Sequence, residues 1–69
     1  MPYVNIKLTD EGCTAKQKEQ LISGVTDLIE DVLGKNPKTI FVIIDDQIST
    51  DNWGIGGKTV TEIRSKNKV

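Results

Sequence analysis

Thr39-Ile40-Phe41-Val42-Ile43-Ile44-Asp45-Asp46 is a run of β-branched and aromatic residues that turns polar only at its two aspartates. A run this short without polar alternation reads as a strand covered on both faces. Upstream, residues 2–9 alternate strictly, and residues 14–34 carry a helical pattern. Strand, helix, strand in that order predicts a βαβ unit with parallel strands and a right-handed crossover. One helix covers only one face of a two-stranded sheet, and the chain has no second long amphipathic stretch for the other face. Another copy of the chain is expected to supply that cover, which makes the protein an obligate oligomer.

In the first strand Val4, Ile6 and Leu8 share one face and Asn5, Lys7 and Thr9 the other. Pro2 stands at its start, a position that a strand tolerates for proline. Asp10-Glu11-Gly12-Cys13 interrupts the alternation as a loop. Thr14 with Gln17 three residues later forms a capping box, in which each side chain satisfies a backbone amide left orphaned at the helix start. Leu21, Ile22, Val25, Leu28, Ile29, Val32 and Leu33 then recur as one apolar stripe. Gly34 is the expected left-handed cap, and Asn36-Pro37 prevents continuation. Gly24 inside the helix costs about 1 kcal/mol relative to alanine.

Residues 47–58 are rich in turn formers around Trp53, and Gly54, Gly56 and Gly57 predict tight turns or a small hairpin. From Thr59 to Val69 the chain is polar apart from Val60, Ile63 and the last residue. It is expected to form one turn or a short strand and then to fray.

The chain has 69 residues, one cysteine (Cys13), no histidine, nine basic and ten acidic side chains. These counts indicate one domain, residues 1–69, which buries only about 60% of the surface of its unfolded chain. An intrachain disulfide is impossible, zinc ligation and cofactor chemistry are not expected, and every histidine-dependent catalytic arrangement is excluded. Self-association is left as the support such a small domain needs. The near-neutral charge argues against nucleic acid or anionic lipid as a partner. There is no roughly 20-residue apolar span and no secretory pattern, so a reduced, cytoplasmic setting is expected.

Few constellations carry chemistry. Asn52-Trp53-Gly54-Ile55-Gly56-Gly57-Lys58-Thr59 resembles the end of a phosphate-binding loop, but asparagine replaces the first glycine and only ten residues follow. Asp45 and Asp46 are neighbours in a strand and point to opposite faces, which opposes a joint acid–base role. Cys13 precedes a helix N-terminus but has neither a base nor a second thiol beside it. Pro2 is different. Removal of Met1 leaves a conformationally fixed secondary amine, whose pKa falls toward neutrality when it is desolvated near cations. A base poised near the working pH accelerates proton transfer by about 10²–10⁴-fold. With Met1 attached the nitrogen is an amide and the chain is an inactive precursor.

The start Met1-Pro2-Tyr3-Val4-Asn5-Ile6-Lys7-Leu8, Lys16-Gln-Lys-Glu-Gln-Leu-Ile22 in the helix, Phe41-Val-Ile-Ile44 and Asn52-Trp-Gly-Ile-Gly-Gly57, in this order, resemble the 4-oxalocrotonate (2-hydroxymuconate) tautomerase family of the tautomerase superfamily. The resemblance implies an α+β fold: a βαβ subunit with a C-terminal β-hairpin, dimers with a four-stranded sheet, and hexamers built from three dimers. It implies an isomerase in which Pro2 is the general base for keto–enol proton transfer on a small 2-hydroxydienoate or 2-oxo acid. It also implies that Trp53 lines the apolar wall of the site and that Arg64 in the tail binds the substrate carboxylate. Lys7 and Lys58 are lesser candidates for that charge.

The family members that handle dicarboxylates carry arginines at the positions of Cys13 and Phe41 here. Bidentate arginine suits a carboxylate or a developing enolate, and neither replacement performs that role. Two alternatives accompany the tautomerase reading. One is hydratase- or dehalogenase-like chemistry on unsaturated acids through the same proline. The other is a non-catalytic oligomeric module.

Overall fold

The computed structural model describes residues 1–66. The expected fraying at residues 67–69 lies outside the described residues. Strand β1 (Tyr3–Thr9) leads into helix α1 (Ala15–Leu33), strand β2 (Phe41–Ile48), the two-residue strands β3 (Gly54–Ile55) and β4 (Lys58–Thr59), and helix α2 (Val60–Lys66). The α+β arrangement with parallel β1 and β2 and a C-terminal hairpin is the one the sequence predicts.

The alternating residues of β1 behave as their pattern dictates. Val4, Ile6 and Leu8 are half-buried beneath α1, whereas Tyr3, Asn5 and Lys7 are exposed. Register pairs Tyr3 with Phe41, Asn5 with Ile43 and Lys7 with Asp45. The ladder opens at Pro2, whose carbonyl accepts the Phe41 amide at 3.0 Å, and closes where the Asp10 amide donates to the Ile48 carbonyl at 2.9 Å. Between Lys7 and Thr9 the register slips, with Asp46 and Gln47 of β2 set against Leu8 alone. The slip is a bulge in β2, a device that twists a strand and spoils its edge for further pairing. No such interruption falls within β1.

Helix α1 begins and ends on the predicted signals. Thr14 Oγ1 accepts the Gln17 amide at 3.1 Å while Gln17 Oε1 accepts the Thr14 amide at 2.9 Å. Gly34 closes the helix at φ 65°, and its amide donates to the Glu30 carbonyl. Two segments differ from the sequence reading. Thr39 belongs to a 3₁₀ turn, Pro37–Thr39, capped by Asn36, so β2 starts at Phe41 and runs through Ile48. The tail forms neither a single turn nor a short strand: it is helical from Val60 to Lys66. Its N-terminus is organised by the hairpin, since the Val60 amide donates to the Trp53 carbonyl at 2.8 Å and Thr59 Oγ1 accepts the Glu62 amide. Gly56 and Gly57, at φ 60° and 84°, make the reversal, a geometry needing left-handed residues at both positions.

One chain has almost no core of its own. Among the described residues only Val60, at 7% exposure, is a buried apolar side chain. Phe41 and Ile43, at 52% and 50%, face away from α1. Five of the seven stripe residues of α1 are exposed as well; only Val25 and Ile29 are half-buried. An uncovered two-stranded sheet is marginal in water. Both the outer sheet face and the flank of α1 therefore need apolar cover from beyond this chain.

The capping box gives a direct test. Thr14→Ala is expected to destabilise the protein by about 1 kcal/mol, with Thr14→Ser near wild type, read as urea midpoints at fixed protein concentration. Equal midpoints for the alanine variant and wild type would show that the box contributes nothing.

Candidate active site

The hairpin and α2 fold against the far end of β1 and form a cleft of about 460 Å³ there. Its walls include Leu8, Trp53, Ile55, Val60 and Ile63, with Lys7, Thr9 and Arg64 supplying the polar rim. Trp53 reaches this wall because a 3₁₀ turn, Thr50–Asn52, is capped by Ser49, whose hydroxyl accepts the Asp51 amide at 3.1 Å. Arg64 lies one turn after Val60 on α2, on the side that faces the loop following β1.

Ion pairs hold the surrounding charges. Arg64 Nη1 donates to Glu11 Oε1 at 2.7 Å, and the Thr9 hydroxyl donates to the other Glu11 oxygen. The Thr9 hydrogen bond first, and then Arg64, hold the Glu11 carboxyl below the usual carboxylate range. On the helix side of the sheet Lys18 Nζ meets Asp46 Oδ2 at 2.7 Å. That contact lowers the pKa of Asp46 and raises that of Lys18, mainly through the shared hydrogen bond. Asp45 instead pairs with Lys7 across the outer face at 3.8 Å. The two aspartates thus serve opposite faces, as strand geometry requires, and form no joint site.

Of the residues singled out from the sequence, Trp53 and Arg64 meet in the cleft. Pro2 does not join them within one chain. It stands at the opposite end of β1 from Leu8, about 20 Å away at the rise of an extended strand. Pro2 is half-buried beside Phe41, and Cys13 is half-buried in the loop before α1, its thiol 3.9 Å from the Thr14 carbonyl. Lys7 reaches the rim, whereas Lys58 is engaged with Glu62 at 3.6 Å. Glu11 and Thr9 escaped the sequence reading. Their role depends on a contact across 53 residues that no local pattern announces.

A family model described as tautomerase enzyme matches residues 2–63, nearly the whole chain. The chain belongs to the tautomerase family. A probable tautomerase of Dickeya dadantii is 62% identical over 66 residues, covering 96% of this chain and 97% of that protein. The crystal structure of DmpI from Helicobacter pylori superposes with a TM-score of 0.86 at 50% identity, covering 96% of this chain and all of that one. A 4-oxalocrotonate tautomerase isozyme from Methylibium petroleiphilum gives 0.77 at 34% identity, covering 90% and 97%. Membership supports tautomerase-type isomerase activity. Arg64 lies one residue past the span that the tautomerase model matches.

The Lys18–Asp46 pair of this tautomerase predicts an acid limb. A depressed carboxyl pKa contributes stability above the unfolded value, near 4, and the contribution is lost as pH falls through the folded value. Urea midpoints measured from pH 7 down to pH 3 are expected to fall less steeply for Asp46→Asn than for wild type. Parallel curves would show that the pair is not coupled to folding.

Proposed function

We propose that this tautomerase is a cofactor-independent isomerase that carries out keto–enol proton transfer on a small 2-hydroxydienoate or 2-oxo acid, with Pro2 as general base once Met1 is removed. The observation that carries the reading is the position of Pro2 at the head of β1, an unbulged strand with one edge unpaired among the described residues. A second copy that pairs antiparallel along this edge brings Pro2 opposite residue 8 of its partner, where the partner's cleft begins. The same pairing converts two ribbons into one four-stranded sheet. Further association, up to a hexamer of three dimers, covers the Phe41 and Ile43 face and the exposed flank of α1.

The chemistry follows from that composite site. In a dienol substrate the Pro2 nitrogen accepts the hydroxyl proton, the O–H electron pair moves into the conjugated system, and a C=O bond forms. The protonated proline then delivers its proton to the distal carbon, where the new C–H bond takes up the displaced electron pair. The apolar wall of Trp53, Ile55, Val60 and Ile63 excludes water and disfavours the charged amine, which lowers its pKa toward neutrality. Arg64 offers the carboxylate-binding cation. Cys13 and Phe41 supply no such charge. With Lys7 at the rim paired to Asp45, a single arginine beside the wall of Trp53 suits monocarboxylates with an apolar tail better than dicarboxylates. A reducing, cytoplasmic setting fits the single free thiol.

Ketonisation of phenylenolpyruvate, followed by the loss of enol absorbance, tests the reading. Protein without Met1 is expected to be active, and Pro2→Ala to lose at least about 10²-fold in kcat/KM. The monoacid is expected to turn over faster than 2-hydroxymuconate. Equal rates for wild type and Pro2→Ala would leave hydration or dehalogenation of an unsaturated acid, or a non-catalytic assembly, as the function.

A further inference from the structure

The only arginine of the chain is not free to meet an anion as a full charge. Glu11, in the loop after β1, occupies Arg64 Nη1 at 2.7 Å, and Thr9 fixes the other oxygen of the same carboxylate. Thr9 and Arg64 both line the Trp53 cleft, so this carboxylate is held by two residues of its rim. Both partners are more than half exposed, and exposed pairs add little to stability. Its main consequence is therefore electrostatic. The corner that would receive a substrate carboxylate carries a net charge near zero rather than +1.

We propose that Glu11 is a specificity-determining residue that screens Arg64, weakening the hold of the cleft on carboxylates and shifting its preference toward substrates bound mainly through their apolar part. This role rests on the reading of the Trp53–Arg64 cleft as the substrate pocket. A single contact through Nη1 leaves the other guanidinium donors available, so a ligand carboxylate shares Arg64 with Glu11 and meets like-charge repulsion from it. Two unit charges roughly 5 Å apart in water change an equilibrium constant by about fourfold. The repulsion is screened by salt.

Trp53, the only tryptophan, reports ligand entry without any requirement for turnover. Phenylacetate and its neutral amide, phenylacetamide, are titrated into wild type, Glu11→Gln and Arg64→Ala with the indole fluorescence as readout. In Glu11→Gln the dissociation constant for phenylacetate is expected to fall about fourfold at low salt and to approach the wild-type value at high salt, with phenylacetamide unmoved. Arg64→Ala is expected to weaken phenylacetate alone. Phenylacetate affinity that is unchanged or weaker in Glu11→Gln overturns the screening role, the second result meaning that Glu11 holds Arg64 in place for the ligand. Equal tightening of the amide also overturns it, because that would be a change of shape. A wild type whose fluorescence answers neither compound removes the cleft as a substrate pocket, a failure distinct from that of Glu11.

Discussion

The parallel pairing of β1 with β2 is the constraint from which the other features follow. Parallel strands need a crossover, the crossover is α1, and a single helix shields a single face. The ladder from Pro2 to Asp10 runs along the shared edge, broken only by the bulge opposite Leu8, so most of the backbone is satisfied there while the side chains are not. Phe41 and Ile43 are left facing outward, and the stripe of α1 is wider than a two-stranded ribbon can cover. With one buried apolar side chain among the described residues, a single chain does not offset its own conformational entropy. Its stability must reside in what two or more copies bury together.

The same constraint separates the parts of the proposed site. One end of β1 holds Pro2, and the other end holds the cleft of Trp53 and Arg64. Neither end is sufficient for proton transfer: an amine without a dry pocket stays charged, and a pocket without a base moves no proton. The bulge in β2 matters in this context, because it spoils that edge for pairing and leaves β1 as the regular one. In the proposed function, an antiparallel neighbour along β1 unites the two ends, which would make assembly and catalysis consequences of one strand edge. The screening proposed for Glu11 would add a smaller adjustment of charge to that plan.

Much of this was legible in the residues. The alternation of Val4, Ile6 and Leu8, the Thr14–Gln17 box, Gly34 and the Gly56–Gly57 reversal are local signals, and each appears where its chemistry requires. The unbroken Ile40–Ile44 run announced a face that one helix cannot cover, and Phe41 and Ile43 are exposed on it. The tail was harder. Val60 and Ile63 are too few to mark a helical period, and α2 depends on the Trp53 carbonyl and the Thr59 hydroxyl, contacts supplied by the hairpin. The start of β2 shifted because Asn36 caps a 3₁₀ turn that takes in Thr39. At the site, Trp53 and Arg64 were found by family resemblance. The Glu11–Arg64 and Lys18–Asp46 pairs were not, because they join distant segments and leave no trace in spacing. The approximate 20 Å between Pro2 and the cleft likewise required the register of β1 to be known.

Subunit mixing probes the composite site most directly. Pro2→Ala lacks the base but keeps the cleft, whereas Arg64→Glu keeps the base and repels the carboxylate. Each alone is expected to be nearly inactive on phenylenolpyruvate. When the two are unfolded together and refolded as a mixture, every mixed two-fold pair contains one site with an intact proline and an intact cleft, so about a quarter of wild-type activity should return. A mixture no more active than its separate components would contradict a site shared between copies, and with it the link between the free edge of β1 and catalysis.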